Sequence, residues 1–211
     1  MGSIEEAALA IRYGASAVGL VSAMPSGPGV IDEALIASIA ATIPPGVASF
    51  LLTSETKAEA IIDQQRRLRV NTIQLCDRLE VEELRSLQRE LPGIAIIQVV
   101  HVTGSESLEA ARKISLEVAG LLLDSGRPDL AIKELGGTGR VHNWEISRKI
   151  CEEVSVPVFL AGGLGPHNVR AAIAQVQPYG VDICSGVRTN GRLDETKLTA
   201  FMQEIRESAI T

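Results

Sequence analysis

A chain of 211 residues with 45% hydrophobic content can bury one sizeable core and falls near the size of a single α/β barrel. A net charge of −6 without a basic cluster argues against nucleic acid and anionic membranes as partners, and 3% aromatic content leaves little stacking surface for bases. No apolar run approaches the roughly 18–20 residues of a membrane helix and no leader-like stretch precedes the fold, so a cytoplasmic protein is expected.

In chain order, Ser3 and Glu6 form a capping-box pattern, which predicts a helix starting almost at once. Ile4, Ala7, Ala8 and Ile11 give it an apolar face at helical spacing, and Gly14 ends it. A buried strand over 15–21, a loop over 22–30, a helix over 32–43 and a strand over 47–52 follow. The pattern repeats with helices over 55–68, 80–91, 107–119, 144–154 and 166–177. Each precedes a short apolar strand, over 72–75, 94–100, 120–124, 156–161 and 180–183 respectively. A last helix carries Leu198, Phe201, Met202 and Ile205 on one face.

Strict alternation of short apolar strands and amphipathic helices means parallel βα units, and no composition break divides them. The expected architecture is one α/β domain over 1–211, a TIM (β/α)8-type barrel of seven strands and eight helices. One strand, the first, should precede Ser3 and does not stand in these residues, so either the chain is shortened at its N-terminus or the barrel is closed some other way. A doubly wound sheet is the alternative, although no G-x-G-x-x-G stands at the first βα turn.

Two glycine-rich loops end the last two strands: Ala161-Gly162-Gly163-Leu164-Gly165-Pro166-His167-Asn168, and Asp182 to Val187. In the first, Pro166 suits a first helical position, so free amides, helix dipole and bare backbone together favour an anion. Barrels commonly place a phosphate at the loops after their last two strands, so the pair reads as a phosphate grip. Asp124 ends the strand Gly120-Leu121-Leu122-Leu123-Asp124, where barrel enzymes place catalytic groups, and a carboxyl at an apolar mouth suits a general acid. The plain alternative is a capping Asp. The loop that follows, over 125–143, is long enough to be functional and holds Gly136, Gly137, Thr138, Gly139 and Arg140.

Gln74 and Cys76 end the strand over 72–75, and a lone Cys is more often a small buried hydrophobe than a reactive group. Cys184, inside the second glycine loop, would react only if its pKa were lowered, and Cys151 reads as core. The three cysteines show no disulfide or zinc spacing, and His101, His142 and His167 show no ligand pattern, so no metal is expected. Asn143 reads as the N-cap of the helix that Trp144 starts.

Four stretches carry a resemblance to the phosphoribosylanthranilate isomerase family. They are Leu122-Leu123-Asp124-Ser125, Gly136 to Arg140 with Asn143-Trp144, Ala161 to Val169, and Pro178 to Val187. Gly14-Ala15, Val18-Gly19 and Ile73-Gln74-Leu75 extend a weaker match over nearly the whole chain. The resemblance implies an eight-unit βα barrel that carries out an Amadori rearrangement in tryptophan biosynthesis. N-(5-phosphoribosyl)anthranilate would become 1-(2-carboxyphenylamino)-1-deoxyribulose 5-phosphate, with no cofactor because the imine is the electron sink. It implies Asp124 as the acid, Gly162, Gly163, Ser185 and Gly186 as the phosphate site, and Gly136 to Gly139 as the loop beside the substrate. The partner would be a small phosphosugar, and the protein a monomer or homodimer.

The chain also departs from the family. The family's base is a Cys in a Lys-x-Cys-Gly-type motif on its first strand, and no such motif stands in these 211 residues. An Arg in the loop after the family's second strand holds the anthranilate carboxylate, whereas here that loop, Met24-Pro25-Ser26-Gly27-Pro28-Gly29, contains none. The usual Gln-Leu-His-Gly reads Gln74-Leu75-Cys76-Asp77. These departures keep two other readings open: a paralogous barrel isomerising another phosphosugar, and a non-catalytic phospholigand-binding protein.

Overall fold

The computed structural model of the chain describes residues 1–126, 130, 133, 135 and 141–208. Seven strands lie in one parallel sheet in chain order: β1 (Ala17–Val21), β2 (Ala48–Thr53), β3 (Thr72–Leu75), β4 (Ala95–His101), β5 (Gly120–Asp124), β6 (Val158–Leu160) and β7 (Gly180–Val181). Alternating with them are α1 (Ile4–Arg12), α2 (Glu33–Ala40), α3 (Ala58–Leu68), α4 (Val81–Glu90), α5 (Glu106–Ile114), α6 (Trp144–Glu153), α7 (Val169–Val176) and α8 (Glu195–Ser208). Among the described residues, β1 and β7 are the open edges of the sheet and no ladder joins them. Among the described residues, the seven strands of this sheet and the eight α-helices match the count expected from the sequence.

Period-2 alternation sorts each strand between two layers. Outward residues such as Ile73, Leu75, Leu121, Leu123, Val158 and Leu160 pack against the helices in the main core cluster. Each fully buried Leu or Ile there is worth roughly 1.5–3 kcal/mol of transfer free energy. Inward residues Phe50, Leu52, Ile97, Val99, Leu122 and Phe159 form a second cluster that fills the lumen. Phe159 links its neighbours edge-on, with ring centroids 6.3 Å from Phe50 and 5.5 Å from Tyr179.

Three local expectations change. The helix read as starting at Pro166 starts at Val169, because the side chain of Asn168 reaches back to the loop and holds residues 165–168 as a turn. A hairpin follows the last core strand, β8 (Arg188–Thr189) with β9 (Arg192–Leu193), turning at Asn190 (φ 50°) and Gly191 (φ 77°). Asn-Gly with both φ positive is the favoured two-residue hairpin turn, a signal present in the sequence and unused. The capping box at α1 is half formed: Ser3 Oγ accepts from the Glu6 amide at 3.2 Å, while the Glu6 carboxylate serves Gly2, Arg188 and Leu193.

Candidate active site

Asp124 is positioned by alternation. Leu121 and Leu123 face the helix layer and Leu122 the lumen, so the carboxyl two residues further along stands inward at the mouth. It is 7% exposed, and its Oδ1 accepts from the Ser125 amide at 2.7 Å. Above it lies Gly162 with φ 82°, a left-handed conformation that glycine adopts freely. A Cβ at Gly162 would stand 3.0 Å from Asp124 Oδ1 and 3.1 Å from both His142 Nδ1 and Ser125 Oγ. The first glycine loop is therefore seated directly on the carboxyl.

The two glycine loops also seat on each other. A Cβ at Gly186 would fall 2.1 Å from the Leu164 carbonyl oxygen, so only glycine permits this approach. Gly163, at φ 64°, continues the left-handed turn. Asn168 ties the turn from inside, donating from Nδ2 to the Gly163 carbonyl at 3.0 Å and accepting from the Gly165 amide at 2.8 Å. That bond occupies an amide which the sequence reading left free for an anion. The free donors lie elsewhere: among the described residues the Gly162 and Gly163 amides donate to no protein group. Those of Ser185 and Gly186 open a 3-10 turn (Ser185–Val187) and have no partner within it.

Two histidines flank Asp124. His142 Nε2 lies 2.8 Å from Ser147 Oγ, and His101 Nε2 lies 3.3 Å from the Cys76 carbonyl oxygen. In both rings Nδ1 is buried without a hydrogen-bond partner among the described residues. Burial lowers the pKa of both, against the opposing pull of the Asp124 carboxylate, so neutral imidazoles are favoured.

Cys76 points into the lumen, buried, with Gln74 Nε2 3.9 Å from its Sγ. Burial, only partly opposed by Gln74 and reinforced by Asp124, Asp182 and Asp77, pushes the thiol up to about 12, which leaves almost no thiolate at neutral pH. The Cys184 thiol is also raised, by burial first, with Arg188 opposing. Gly136, Gly137, Thr138, Gly139 and Arg140 lie outside the described residues. The same loop's Leu135 is 5% exposed and packs in the lumen cluster beside Met24 and Cys76. Its Lys133 pairs with Asp77 at 2.5 Å, and the Lys133 carbonyl accepts from Ser26 at 2.5 Å. Sequence reasoning gave no role to Asp182, which alternation also places inward, two residues after Gly180.

A polar mouth of this shape, with a carboxyl beneath two amide-lined glycine loops on the last two strands, narrows the relatives sharply. Residues 8–204 match the family described as N-(5'phosphoribosyl)anthranilate (PRA) isomerase. The chain belongs to the phosphoribosylanthranilate isomerase family. It is 39% identical over 205 residues to N-(5'-phosphoribosyl)anthranilate isomerase 2 of Methanosarcina mazei, covering 96% of this chain and 90% of the relative. Among solved structures it resembles phosphoribosyl anthranilate isomerase from Thermotoga maritima, with TM-score 0.84, 27% identity and 98% and 96% of the two chains covered. It also resembles a phosphoribosyl anthranilate isomerase in complex with reduced 1-(o-carboxyphenylamino)-1-deoxyribulose 5-phosphate, with TM-score 0.81, 25% identity and 98% and 95% covered. The resemblance drawn from the motifs holds, as does the barrel-type fold. By family this chain is an aldose–ketose isomerase of tryptophan biosynthesis. No helix among the described residues is long and apolar enough to cross a membrane.

Proposed function

We propose that Asp124 is the general acid and that the amides of Gly162, Gly163, Ser185 and Gly186 hold the substrate phosphate in the rearrangement of N-(5-phosphoribosyl)anthranilate. The observation that carries this is the seat of Gly162 on Asp124 at 3.0 Å from a notional Cβ, which puts the phosphate loop and the acid in one small volume. A phosphate held there fixes the ribose with its ring oxygen toward Asp124. Proton transfer to that oxygen breaks the C1–O bond while the nitrogen lone pair forms an iminium. Loss of the C2 proton then gives an enolamine, which ketonises. Holding the phosphate supplies orientation rather than chemistry, and the bare glycine backbone lets the donors approach closely.

Gly136 to Arg140 supply the flanking loop on this reading, and Gln74 and Cys76 line the lumen below without handling a proton. The working unit is one domain over 1–211, a monomer or homodimer acting in the cytoplasm on a small phosphosugar. The test follows the anthranilate-type fluorescence of the substrate as it is consumed. Asp124→Asn should lower kcat by about 10²–10⁴ with little change in KM, the range expected for a general acid. Full retained activity removes Asp124 from that role. Phosphosugar binding without any turnover by the unaltered chain supports a binding protein instead.

A further inference from the structure

His142 stands one residue before the N-cap of α6, a place that usually takes an apolar side chain. There it packs on the fourth helical residue, apolar on apolar, and fixes how the chain enters the helix. The N-cap here is Asn143, whose Oδ1 accepts from the Glu145 amide at 2.9 Å and the Ile146 amide at 3.4 Å. The fourth residue is Ser147, fully buried, so both members of this staple are polar. They meet through a hydrogen bond, with His142 Nε2 2.8 Å from Ser147 Oγ. An apolar pair would hold the same entry without burying a ring nitrogen. The polar pair calls for a reason beyond the fold.

The bond sets the state of the ring. Ser147 Oγ lies 3.4 Å from the Asn143 carbonyl oxygen, which can only accept, and gives its proton there. Oγ then accepts from Nε2–H, and the neutral ring carries a bare lone pair on Nδ1. That atom is buried with no hydrogen-bond partner among the described residues. It lies 3.1 Å from the point where a Gly162 Cβ would stand, and Asp124 Oδ1 lies 3.0 Å from the same point. Burial lowers the pKa of the ring, with the Asp124 carboxylate pulling the other way. His101, paired with Asp124 from β4, turns its Nε2 to the Cys76 carbonyl oxygen instead, at 3.3 Å.

An acid that is to give up a proton has to hold it somewhere first. Asp124 Oδ1 already accepts from the Ser125 amide at 2.7 Å, and a buried acceptor without a donor destabilises the fold. On the reading that Asp124 is the acid, we propose that His142 is a positioning residue for it: Nδ1 accepts the hydrogen bond of the Asp124 carboxyl proton. A turn of the carboxyl beneath Gly162 brings the two together, and the Asn143 carbonyl, Ser147 and His142 in series fix where that proton waits. When substrate arrives, the proton passes from Asp124 to the ring oxygen and Nδ1 returns to a bare lone pair. The imidazole is neutral before and after, so only the Asp124 proton moves.

The experiment pairs His142→Leu with His142→Asn. Leucine suits an apolar staple and keeps the helix entry but offers no acceptor, whereas asparagine puts a carbonyl oxygen about where Nδ1 stood. His142→Leu should lower kcat about tenfold, the scale of one hydrogen bond to the acid, with KM within about threefold and a urea midpoint unchanged or raised. His142→Asn should recover part of the rate. His142→Leu turnover within about twofold of the unaltered chain overturns the proposal, as does a loss that His142→Asn does not relieve. ¹⁵N NMR of the histidine rings decides without turnover. In the unaltered chain His142 should be in the Nε2–H form, with an Nδ1 signal that moves in Asp124→Asn. An Nδ1–H form, or an Nδ1 signal indifferent to Asp124, overturns the contact. Absence of turnover by the unaltered chain, with those signals in place, counts against the isomerase reading alone.

Discussion

The two rims of the mouth are built differently. At the β6–β7 rim, short loops interlock: Gly186 abuts the Leu164 carbonyl, Asn168 pins both ends of its turn, and Glu6 clamps Arg188 just behind. At the β1–β3 rim, the turn over 24–29 and Cys76 meet a long loop through Leu135 packing and two bonds, from Ser26 to the Lys133 carbonyl and from Lys133 to Asp77. The first rim is rigid because each loop's conformation is needed by the next. The second relies on apolar contact, which tolerates change of shape. On the function proposed above, a phosphate needs fixed donors, which the interlocked rim supplies.

Three substitutions test the contrast, beyond that at Asp124. The largest effect is expected from Gly186→Ala. Its new methyl would have to displace the Leu164 carbonyl, costing about 1–3 kcal/mol of stability by overpacking. The same shift should raise KM about tenfold, the equivalent of roughly 1.4 kcal/mol of lost phosphate binding. Chemical denaturation and steady-state kinetics check both, and an Ala variant with unaltered KM would dissolve the idea of interlocked loops.

Glu6→Gln comes next. Burial opposes ionisation of Glu6, but the hydrogen bonds from Arg188, Leu193 and Gly2 outweigh it and hold the carboxyl down at about 2. A carboxyl lowered in the folded state contributes stability above its unfolded value of 4.5, and that stability is lost as pH falls toward 2. The fall from 4.5 to about 2 would be worth about 3.4 kcal/mol at about 1.4 kcal/mol per pKa unit, and solvent screening at this half-buried site reduces it to roughly 2 kcal/mol. Urea midpoints of the parent should drop between pH 5 and pH 2.5 more steeply than those of the variant; parallel curves would show that the clamp adds nothing. The smallest effect belongs to the loose rim. Cys76→Ala should leave kcat within about twofold and cost about 1 kcal/mol or less, the usual scale for a small buried change. A collapse of activity would show that Cys76 does more than fill the lumen.

Much of the fold was legible because the signals were local and repeated. Short apolar strands between amphipathic helices forced parallel βα units, and three leucines before Asp124 fixed its inward direction. What escaped depended on contacts across the chain. Pro166 carried a helix-start signal, but Asn168 overrode it through bonds to Gly163 and Gly165. Glu6 carried half a capping box, but a guanidinium from the far end of the chain attracted its carboxylate more strongly. Asp182 was visible inside a quoted motif, yet its place level with Asp124 follows only from the pairing of three strands. Gly186 looked like one glycine among many until the Leu164 carbonyl was found beside it.

The join between α1 and α8 has a consequence of its own. Where the sheet is open, the outer layer meets through exposed polar bonds: Arg12 to Glu195 at 3.4 Å, Tyr13 Oη to Glu195 at 2.7 Å, and Arg206 to the Tyr13 carbonyl at 3.1 Å. Such contacts are screened by salt and individually worth about 0–1 kcal/mol, far less than the apolar packing that joins the other helices. Behind them the half-buried Glu6–Arg188 pair ties α1 to the hairpin before α8 and is far less open to solvent. Added salt should therefore loosen the outer bonds of this join first and leave the inner clamp closed.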